Sequence, residues 1–380
     1  MLQCDLLDLE TLISDCFFLL ASSYLGESMI KCIDFFCGCG GTSAGLMSAG
    51  IQIILGIDND SDAITTFKSN FPHASILKKD IRDLTVTDLE SHISRDEKDI
   101  WLFSACAPCQ PFAQHRKQSL VNDDRVNLLS EFLRIADTFL PDLLFVENVP
   151  GLASRAESFG PFQELLDFLG KRQYLFAQRE FNCRDFGVPQ KRRRFALIGS
   201  RHGPISFPDR THGPGTSNPD YSTVREWISD FPAINAGQRH HCVPNHQAAS
   251  LSVLNLERIR ATPEGGGRRD WPDSLQLECH RGGFRGYSDV YGRMRWDTPA
   301  SALTTRCISY SNGRFGHPSQ NRAISAREAA CLQTFPRSFE FSGSLNSVAR
   351  QIGNAVPVLV SKRFGENFVT HVKSHTGKEC

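Results

Sequence analysis

Between residues 30 and 200 the sequence alternates short apolar runs with amphipathic segments, and this alternation constrains the fold more than any other feature. Runs such as KCIDFF (31–36) and PDLLFVENV (141–149) are typical of buried strands. Segments such as SDAITTFKSNF (61–71) and LLSEFLRIADTF (128–139) carry helical periodicity. The alternation predicts an α/β domain with a mostly parallel sheet. In such a sheet, ligands bind beyond the carboxyl ends of the strands.

The rest of the chain differs in character. After residue 200 it is rich in Gly, Pro, Arg and His, as in HGPGTSNPD (212–220), and helical periodicity returns only near the carboxyl end. We therefore expect four parts. They are an amino-terminal extension or over-long start at 1–28, the α/β domain at 29–200, a smaller loop-rich domain at 201–298, and a carboxyl-terminal part at 299–380 that packs back on the α/β domain.

Charge and cysteine content exclude several classes of protein. Lys plus Arg and Asp plus Glu both number 42, so a nucleic-acid partner would have to be met by a local basic face. The 13 cysteines are odd in number and have no framework spacing, which favours free thiols in a reducing compartment. The apolar run CFFLLA (16–21) is short and follows acidic residues, unlike a secretory signal. We expect a cytoplasmic protein without a membrane segment.

A glycine turn, CGCGG (37–41), separates the first strand from the first helix, where backbone N–H groups can face a ligand. Ser43 replaces the third glycine of the dinucleotide fingerprint. Asp58, at the end of the second strand, suits ribose hydroxyls, and Asp80 follows the next strand at a place that suits an adenine amino group. Together these features predict a cofactor that contains adenosine and is not a dinucleotide. The alternative is a plain tight turn with acidic helix caps.

The stretch SACAPCQPF (104–112) places Cys106 and Cys109 three residues apart and allows three chemistries. The two cysteines fit a redox pair, half of a zinc site, or one nucleophile beside a bystander. A zinc site needs a second pair of ligands, and Cys37 and Cys39 have the wrong spacing, so we predict no metal.

Two further features favour the nucleophile. Glu147 ends the strand after that of Cys109, so the two residues should be adjacent in a parallel sheet. Arg192 and Arg194 occupy alternate positions of a later predicted strand, so both should face one side. A thiolate, a carboxylic acid and arginines in one pocket suit conjugate addition to a heterocycle.

Six motifs taken in order resemble those of the DNA cytosine carbon-5 methyltransferases of the bacterial and phage restriction-modification type. The resemblance covers residues 31–368 and rests on DFFCGCGGTSAG, APCQPF, ENVPGL, QKRRRFALIG, REAACLQTFP and QIGNAVP. It implies a Rossmann-like S-adenosylmethionine-dependent methyltransferase domain, with residues 201–298 as a target-recognition domain.

The resemblance also implies roles for individual residues. Cys109 would attack carbon 6 of the cytosine, which makes carbon 5 nucleophilic, and Glu147 would contact N3. Arg194 would contact the cytosine with support from Arg192, while Cys106 would be a bystander. S-adenosylmethionine would be held by Phe36, Gly38, Gly40, Asp58, Asp80 and Asn354.

The partner implied is double-stranded DNA, bound by a monomer, with a cognate restriction endonuclease that acts separately and a role in host DNA protection. The candidate DNA contacts are Arg116, Lys117, Arg268, Arg269 and Arg285. Three alternatives stay open: a tRNA cytosine methyltransferase of the same fold, a catalytically silent DNA-binding module, and a thioredoxin-like oxidoreductase.

Overall fold

The computed structural model of the chain describes residues 30–93, 99–107, 127–150, 160–278 and 289–376. The described residues form two compact units. We call one the sheet unit, which comprises the described residues up to 186 together with 193–210 and 356–376. We call the other the loop-rich unit, which comprises residues 187–192 and the described part of 211–355.

Seven strands form one sheet in the order β3-β2-β1-β4-β5-β8-β6. The first five are parallel, and β8 runs antiparallel between β5 and β6. The predicted α/β class with a mostly parallel sheet is therefore confirmed. The two short strands β7 and β9 pair with each other in the loop-rich unit. The strands are β1 Ile30–Phe35, β2 Gln52–Asp58, β3 Ser75–Lys78, β4 Ile100–Ala105, β5 Leu143–Asn148, β6 Leu175–Asn182, β7 Gln190–Lys191, β8 Arg193–Ser200 and β9 Ala300–Ser301.

The helices begin where the sequence offers a cap. Asp60 accepts from the backbone N–H groups of Asp62 and Ala63 and starts the second helix, and Ser325 and Glu328 form a capping box at the eighth. The helices are α1 Gly41–Ser48, α2 Ser61–Asn70, α3 Val86–Glu90, α4 Leu128–Phe139, α5 Pro161–Lys171, α6 Val224–Ile228, α7 Val253–Arg260, α8 Ala326–Leu332, α9 Leu345–Asn354 and α10 Val358–Thr376.

Helices cover both faces of the sheet. Strands β4 and β5 are buried at every residue, as expected for central strands covered on both sides. On one face, Phe132 of α4 packs in the core cluster that contains Leu144. On the other face, the rings of Phe145 and Phe364 of α10 stack with centroids 4.8 Å apart. Because β4 and β5 are packed on both faces, the positions of their carboxyl ends, which contribute to the candidate site, are well defined.

Helices α1 and α10 of the sheet unit cross closely because glycine occupies the contact on each. A Cβ at Gly45 would lie 2.4 Å from the carbonyl oxygen of Val358. A Cβ at Gly365 would lie 2.6 Å from the Cβ of Ala49. Neither distance is compatible with a larger residue unless the backbone moves.

The structural division differs from the sequence-based one in residues 299–355. We expected residues 299–380 to act together, whereas residues 299–355 belong to the same unit as 211–298 and only 356–376 belong to the sheet unit. Side chains tie α8 to the earlier segment. The Oγ of Ser325 lies 2.8 Å from Nδ1 of His246, and Arg327 donates to the carbonyl of Pro244. The described helix of residues 356–376, α10, packs on α1.

Among the described residues, no helix combines the length and the apolar character that crossing a membrane requires.

Candidate functional site

The carboxyl ends of β1, β4 and β5 lie side by side at one edge of the sheet. The glycine turn follows β1, Cys106 follows β4, and Glu147 is the penultimate residue of β5. Because these strands are parallel and adjacent, the residues that sequence analysis selected from three separate segments meet at the same edge.

The glycine turn follows a left-handed path. Phe36, Gly38 and Gly40 have φ angles of 58°, 54° and 97°. At Gly40 a Cβ would lie 2.3 Å from the ring of Phe71, so no larger residue fits there. At Gly38 a Cβ would meet no atom within 4 Å, so one side of the turn is open. A non-glycine residue such as Phe36 in this conformation carries strain of the kind found at functional sites.

Asp58 joins the end of β2 to the glycine turn. Its Oδ2 accepts from the backbone N–H of Gly38 and its Oδ1 accepts from that of Asp60, both at 2.9 Å. Burial is the main cause that raises the pKa of this carboxyl, and the backbone hydrogen bonds oppose it. Each carboxylate oxygen has a second lone pair, which a ribose hydroxyl can use.

Asp80 lies two residues beyond β3, at the start of the 3₁₀ turn Ile81–Asp83. Its carboxylate accepts from Nε and Nη2 of Arg82 at 2.9 and 2.8 Å and from Nδ2 of Asn59 at 3.2 Å. The hydrogen bond from Arg82 lowers the pKa of Asp80 to about 2. An adenine amino group at this position would share the carboxylate with Arg82.

A buried polar cluster under the glycine turn was not identified from the sequence. Asp34 of β1 is fully buried, and its Oδ2 accepts from the Oγ of Ser43 at 2.6 Å. Burial raises the pKa of Asp34 to about 7. Next to it, the hydroxyl of Thr42 lies 3.3 Å from the sulfur of Cys106. The available signal was a carboxylate within the apolar run of β1.

Burial also raises the pKa of Cys106 well above its usual range, with Glu147 as the second cause. A thiol with a raised pKa is poorly suited to thiol–disulfide exchange, which requires a thiolate. The structure therefore gives no support to a redox role for this cysteine.

The candidate nucleophile, Cys109, lies outside the described residues, which stop two positions before it at Ala107. The predicted DNA contacts Arg116, Lys117 and Arg285 also lie outside them.

Glu147 and Arg194 meet on adjacent strands. Strands β5 and β8 are antiparallel with Glu147 opposite Ala196, and Nε of Arg194 lies 2.8 Å from Oε1 of Glu147. Both side chains are largely buried, at 9% and 16% exposure for Glu147 and Arg194. A buried carboxylate needs a compensating charge, and this guanidinium supplies it.

Arg192 does not share a strand face with Arg194, so this prediction was wrong. Strand β8 begins at Arg193, and Arg192 belongs to the loop-rich unit. The backbone turns at this point, where the N–H of Arg192 donates to the carbonyl of Gln190. The guanidinium donates to the carbonyls of Leu303, Gly353 and Ala355 at 2.7, 3.1 and 3.3 Å.

Three more candidates lie in the loop-rich unit. Asn354 is exposed at the end of α9. Arg268 is buried at 5% exposure while Arg269 is exposed, so only the second presents its side chain to solvent. Within the described ranges no group of three His, Cys, Asp or Glu side chains is arranged to hold a metal ion.

Comparison with known proteins gives a consistent result. The family model of C-5 cytosine-specific DNA methylases matches residues 30–370. The Type II methylase M.HgiDII of Herpetosiphon aurantiacus is 39% identical over 337 residues, covering 87% of this chain and 92% of that protein. The Type II methyltransferase M1.HphI of Haemophilus parahaemolyticus is 32% identical over 357 residues, covering 90% and 89%.

A solved structure is similar in fold. A triple mutant of DNMT2 from Spodoptera frugiperda superposes with a TM-score of 0.61 at 18% identity, covering 89% of this chain and 98% of that one.

Proposed function

This chain belongs to the C-5 cytosine-specific DNA methylase family and is a DNA cytosine-5 methyltransferase, and from that premise we propose how it acts. It transfers a methyl group from S-adenosylmethionine to carbon 5 of a cytosine in a short, specific duplex sequence. The observation that carries the proposal is the buried Glu147–Arg194 pair, which lies at the same sheet edge as the glycine turn and the strand leading to Cys109.

The residues around the glycine turn fit S-adenosylmethionine, which supplies an electrophilic methyl group when bound. The open side of the turn at Gly38 lets a ligand approach the backbone. The partly buried carboxylate of Asp58 is in place for ribose hydroxyls. We assign to this binding role the residues Phe36, Gly38, Gly40, Asp58 and Asp80, and add Asn354 from the family motif QIGNAVP.

The chain's own groups carry the addition chemistry. The Cys109 thiolate forms a bond to carbon 6 of the cytosine, and the electron pair of the 5,6 double bond moves to carbon 5. Glu147 in its protonated form donates a hydrogen bond to N3, and the guanidinium of Arg194 donates to the carbonyl oxygen, so the negative charge that develops on the ring is stabilised. After carbon 5 is methylated, a base removes its proton, the 5,6 double bond reforms and the bond between carbon 6 and sulfur breaks, so Cys109 leaves as the thiolate. The cytosine must first be flipped out of the duplex, at a cost of roughly a few kcal/mol.

Two relatives, which are named as a Type II methylase and a Type II methyltransferase, support a proposal about the biological role. We propose that the chain methylates host DNA in the cytoplasm as a monomer, within a restriction-modification system whose endonuclease acts separately. Its substrate is duplex DNA rather than tRNA, since the long segment between RRFALIG and REAACLQTFP leaves room for target recognition.

The decisive experiment is methylome sequencing of DNA from cells that express the protein, with the variant Cys109→Ala as the negative control. We expect methylated cytosines within one short motif for the wild type and none for Cys109→Ala. Cys106→Ser is the matched control and should keep the methylation. An unmethylated genome despite folded wild-type protein would contradict the proposal, and tRNA would then be assayed with labelled methyl donor.

A measurement of DNA binding distinguishes a loss of catalysis from a loss of DNA recognition. Cys109→Ala should bind duplex DNA as the wild type does, because the thiol acts only after the cytosine has entered the site. If Cys106→Ser lost methylation as fully as Cys109→Ala, the single-nucleophile assignment would be wrong.

A further inference from the structure

Three buried polar side chains form a connected network in the loop-rich unit, two from the segment 190–192 and one from the end of helix α8. Gln190, Arg192 and Gln333 have exposures of 0%, 3% and 0%. Gln190 donates to the side-chain oxygen of Gln333 at 3.0 Å, and its own Oε1 accepts from the backbone N–H of Leu303 at 2.8 Å. Gln333 donates to the carbonyls of Ile352 and Ala355 at 2.7 and 3.3 Å.

Arg192, two residues after Gln190, completes the network. Its guanidinium donates to the carbonyl of Leu303 at 2.7 Å, to that of Gly353 at 3.1 Å and to that of Ala355 at 3.3 Å. Ala355 therefore accepts from both Arg192 and Gln333, and Leu303 is bound through both its N–H and its carbonyl. The network therefore binds two segments of the chain, one around Leu303 and the other at 352–355. Every hydrogen bond from the three side chains to these two segments is made to a main-chain atom.

The two segments are also in direct backbone contact. A Cβ at Gly353 would lie 2.2 Å from the carbonyl oxygen of Thr304, so only glycine allows this approach. The turn that begins at Thr304 is closed by the N–H of Cys307, which donates to the Thr304 carbonyl at 3.0 Å. The network thus fixes the main chain on both sides of Asn354 and at the start of the 304–307 turn.

What the two segments present outward is polar and accessible. Asn354 is exposed on one, and Thr304, Thr305 and Arg306 are three consecutive exposed residues on the other. Burying one guanidinium and two amides costs free energy unless every group is hydrogen-bonded, and it adds little stability compared with an apolar core. A role in fixing position explains why polar groups are used here.

We propose that Gln190, Arg192 and Gln333 are positioning residues that set the backbone of the Asn354 segment relative to the 304–306 segment. Arg192 then serves the reaction through the main chain of these segments and does not touch the cytosine, in contrast to Arg194, which pairs with Glu147. The inference rests on the proposed function, in which Asn354 binds the methyl donor and the loop-rich unit binds DNA.

The first test measures amide hydrogen exchange, which needs no activity. Arg192→Met should speed exchange at Cys307 and Ala355 by about tenfold, since each loses hydrogen-bonded neighbours that hold its segment. Arg327→Met is the matched control, because Arg327 is another buried arginine that donates to carbonyls, those of Pro244 and Phe339. It should leave exchange at Cys307 and Ala355 unchanged. Equal effects of the two variants at these amides would overturn the proposal.

The second test separates positioning from contact with the base, using tritiated S-adenosylmethionine and unmethylated genomic DNA. Arg192→Met should raise the KM for S-adenosylmethionine and the KM for DNA by about tenfold each, and should keep kcat within about threefold of the wild-type value. Arg194→Met, in contrast, should lower kcat. In the background of Asn354→Ala, Arg192→Met should raise the KM for S-adenosylmethionine much less. A fall in kcat with unchanged KM, or additive effects on KM, would overturn the proposal.

The two tests distinguish a failure of the proposed function from a failure of the positioning proposal. A wild type that folds but transfers no methyl group contradicts the proposed function, while the exchange data still decide on the network. If Arg192→Met does not fold, Gln333→Met is measured in both assays. Because Gln333 holds the same carbonyl of Ala355, it should give the same pattern.

Discussion

Two buried carboxyls, Asp34 near the end of β1 and Glu147 near the end of β5, lie in different charge environments. Glu147 faces the guanidinium of Arg194 at 2.8 Å. Asp34, on the far side of β4 in the sheet, has no cation among the causes that set its pKa. Burial is the main cause and raises the pKa, and hydrogen bonds from the hydroxyls of Ser43 and Ser104 oppose it. Asp34 can therefore exchange a proton near neutral pH within the structure that supports the glycine turn.

Asp34 makes the stability of the wild type depend on pH. Its folded pKa, about 7, lies above the ordinary value of 3.8. The folded state therefore binds the proton more tightly, and the stability that results is lost as the pH rises through about 7. We expect the Tm of the wild type minus that of Asp34→Asn to decrease between acidic and alkaline buffer. A difference that does not change with pH would refute this assignment.

Glu147 is predicted to affect the rate rather than the binding of DNA. Glu147→Gln keeps the shape of the side chain but removes the group that can pass a proton to the cytosine ring, so kcat should fall by about 10²–10⁴-fold. Single-turnover methyl transfer and equilibrium DNA binding, measured on the same preparation, check this. An unchanged kcat with weakened DNA binding would show that Glu147 is not part of the chemistry.

At the scale of elements, the α1–α10 crossing depends on the absence of a side chain. Gly45→Ala would place a methyl group 2.4 Å from the Val358 carbonyl and 2.5 Å from the Cβ of Ser361. We expect the free energy of unfolding to fall by about 1–3 kcal/mol or more. Gly170→Ala is the control, because it lies in helix α5 with no atom within 4 Å of the new Cβ. It should raise stability by about 0.5–1 kcal/mol. Chemical denaturation measures both, and equal effects would contradict the steric argument.

Local periodicity predicts elements well and tertiary connections poorly. The pattern of 128–139 gives helix α4, and the apolar run around 143–148 gives strand β5, because burial of one face or of both leaves a regular trace in sequence. The position of Arg192 could not be predicted in this way. Its side chain is placed by carbonyls more than a hundred residues further along the chain.

The grouping of residues 299–355 with residues 211–298 could not be predicted from local periodicity for the same physical reason. The helical pattern of α8 says nothing about its partner, which is decided by contacts such as that of Ser325 with His246. In the candidate site, the sequence selects Glu147 and Arg194 because their residue types match the chemistry and the family motifs. It does not reveal Asp34, since a single carboxylate in an apolar strand has no periodic signature.

At the scale of the whole molecule, the net charge does not distinguish buried arginines from exposed ones. Arg293 and Arg322 are buried, where the first donates to several backbone carbonyls and the second pairs with Glu328. Arg269 and Arg295 are exposed. With 42 basic and 42 acidic residues, attraction to DNA depends on the exposed population alone. Counting arginines in the loop-rich unit therefore overstates its capacity to bind phosphate.

The adjacent pair Arg268 and Arg269 tests this distinction directly. Each phosphate neutralised by an exposed cation contributes about 0.9 to the slope of log K against log salt. Arg269→Ala should weaken binding to a random-sequence duplex and reduce the magnitude of that slope by about this amount. Arg268→Ala removes a buried side chain, so it should lower the Tm and leave the slope unchanged. Fluorescence anisotropy over a series of KCl concentrations measures the slope. A reduced slope for Arg268→Ala and none for Arg269→Ala would mean that DNA draws the buried arginine to the surface and that the exposed one faces away.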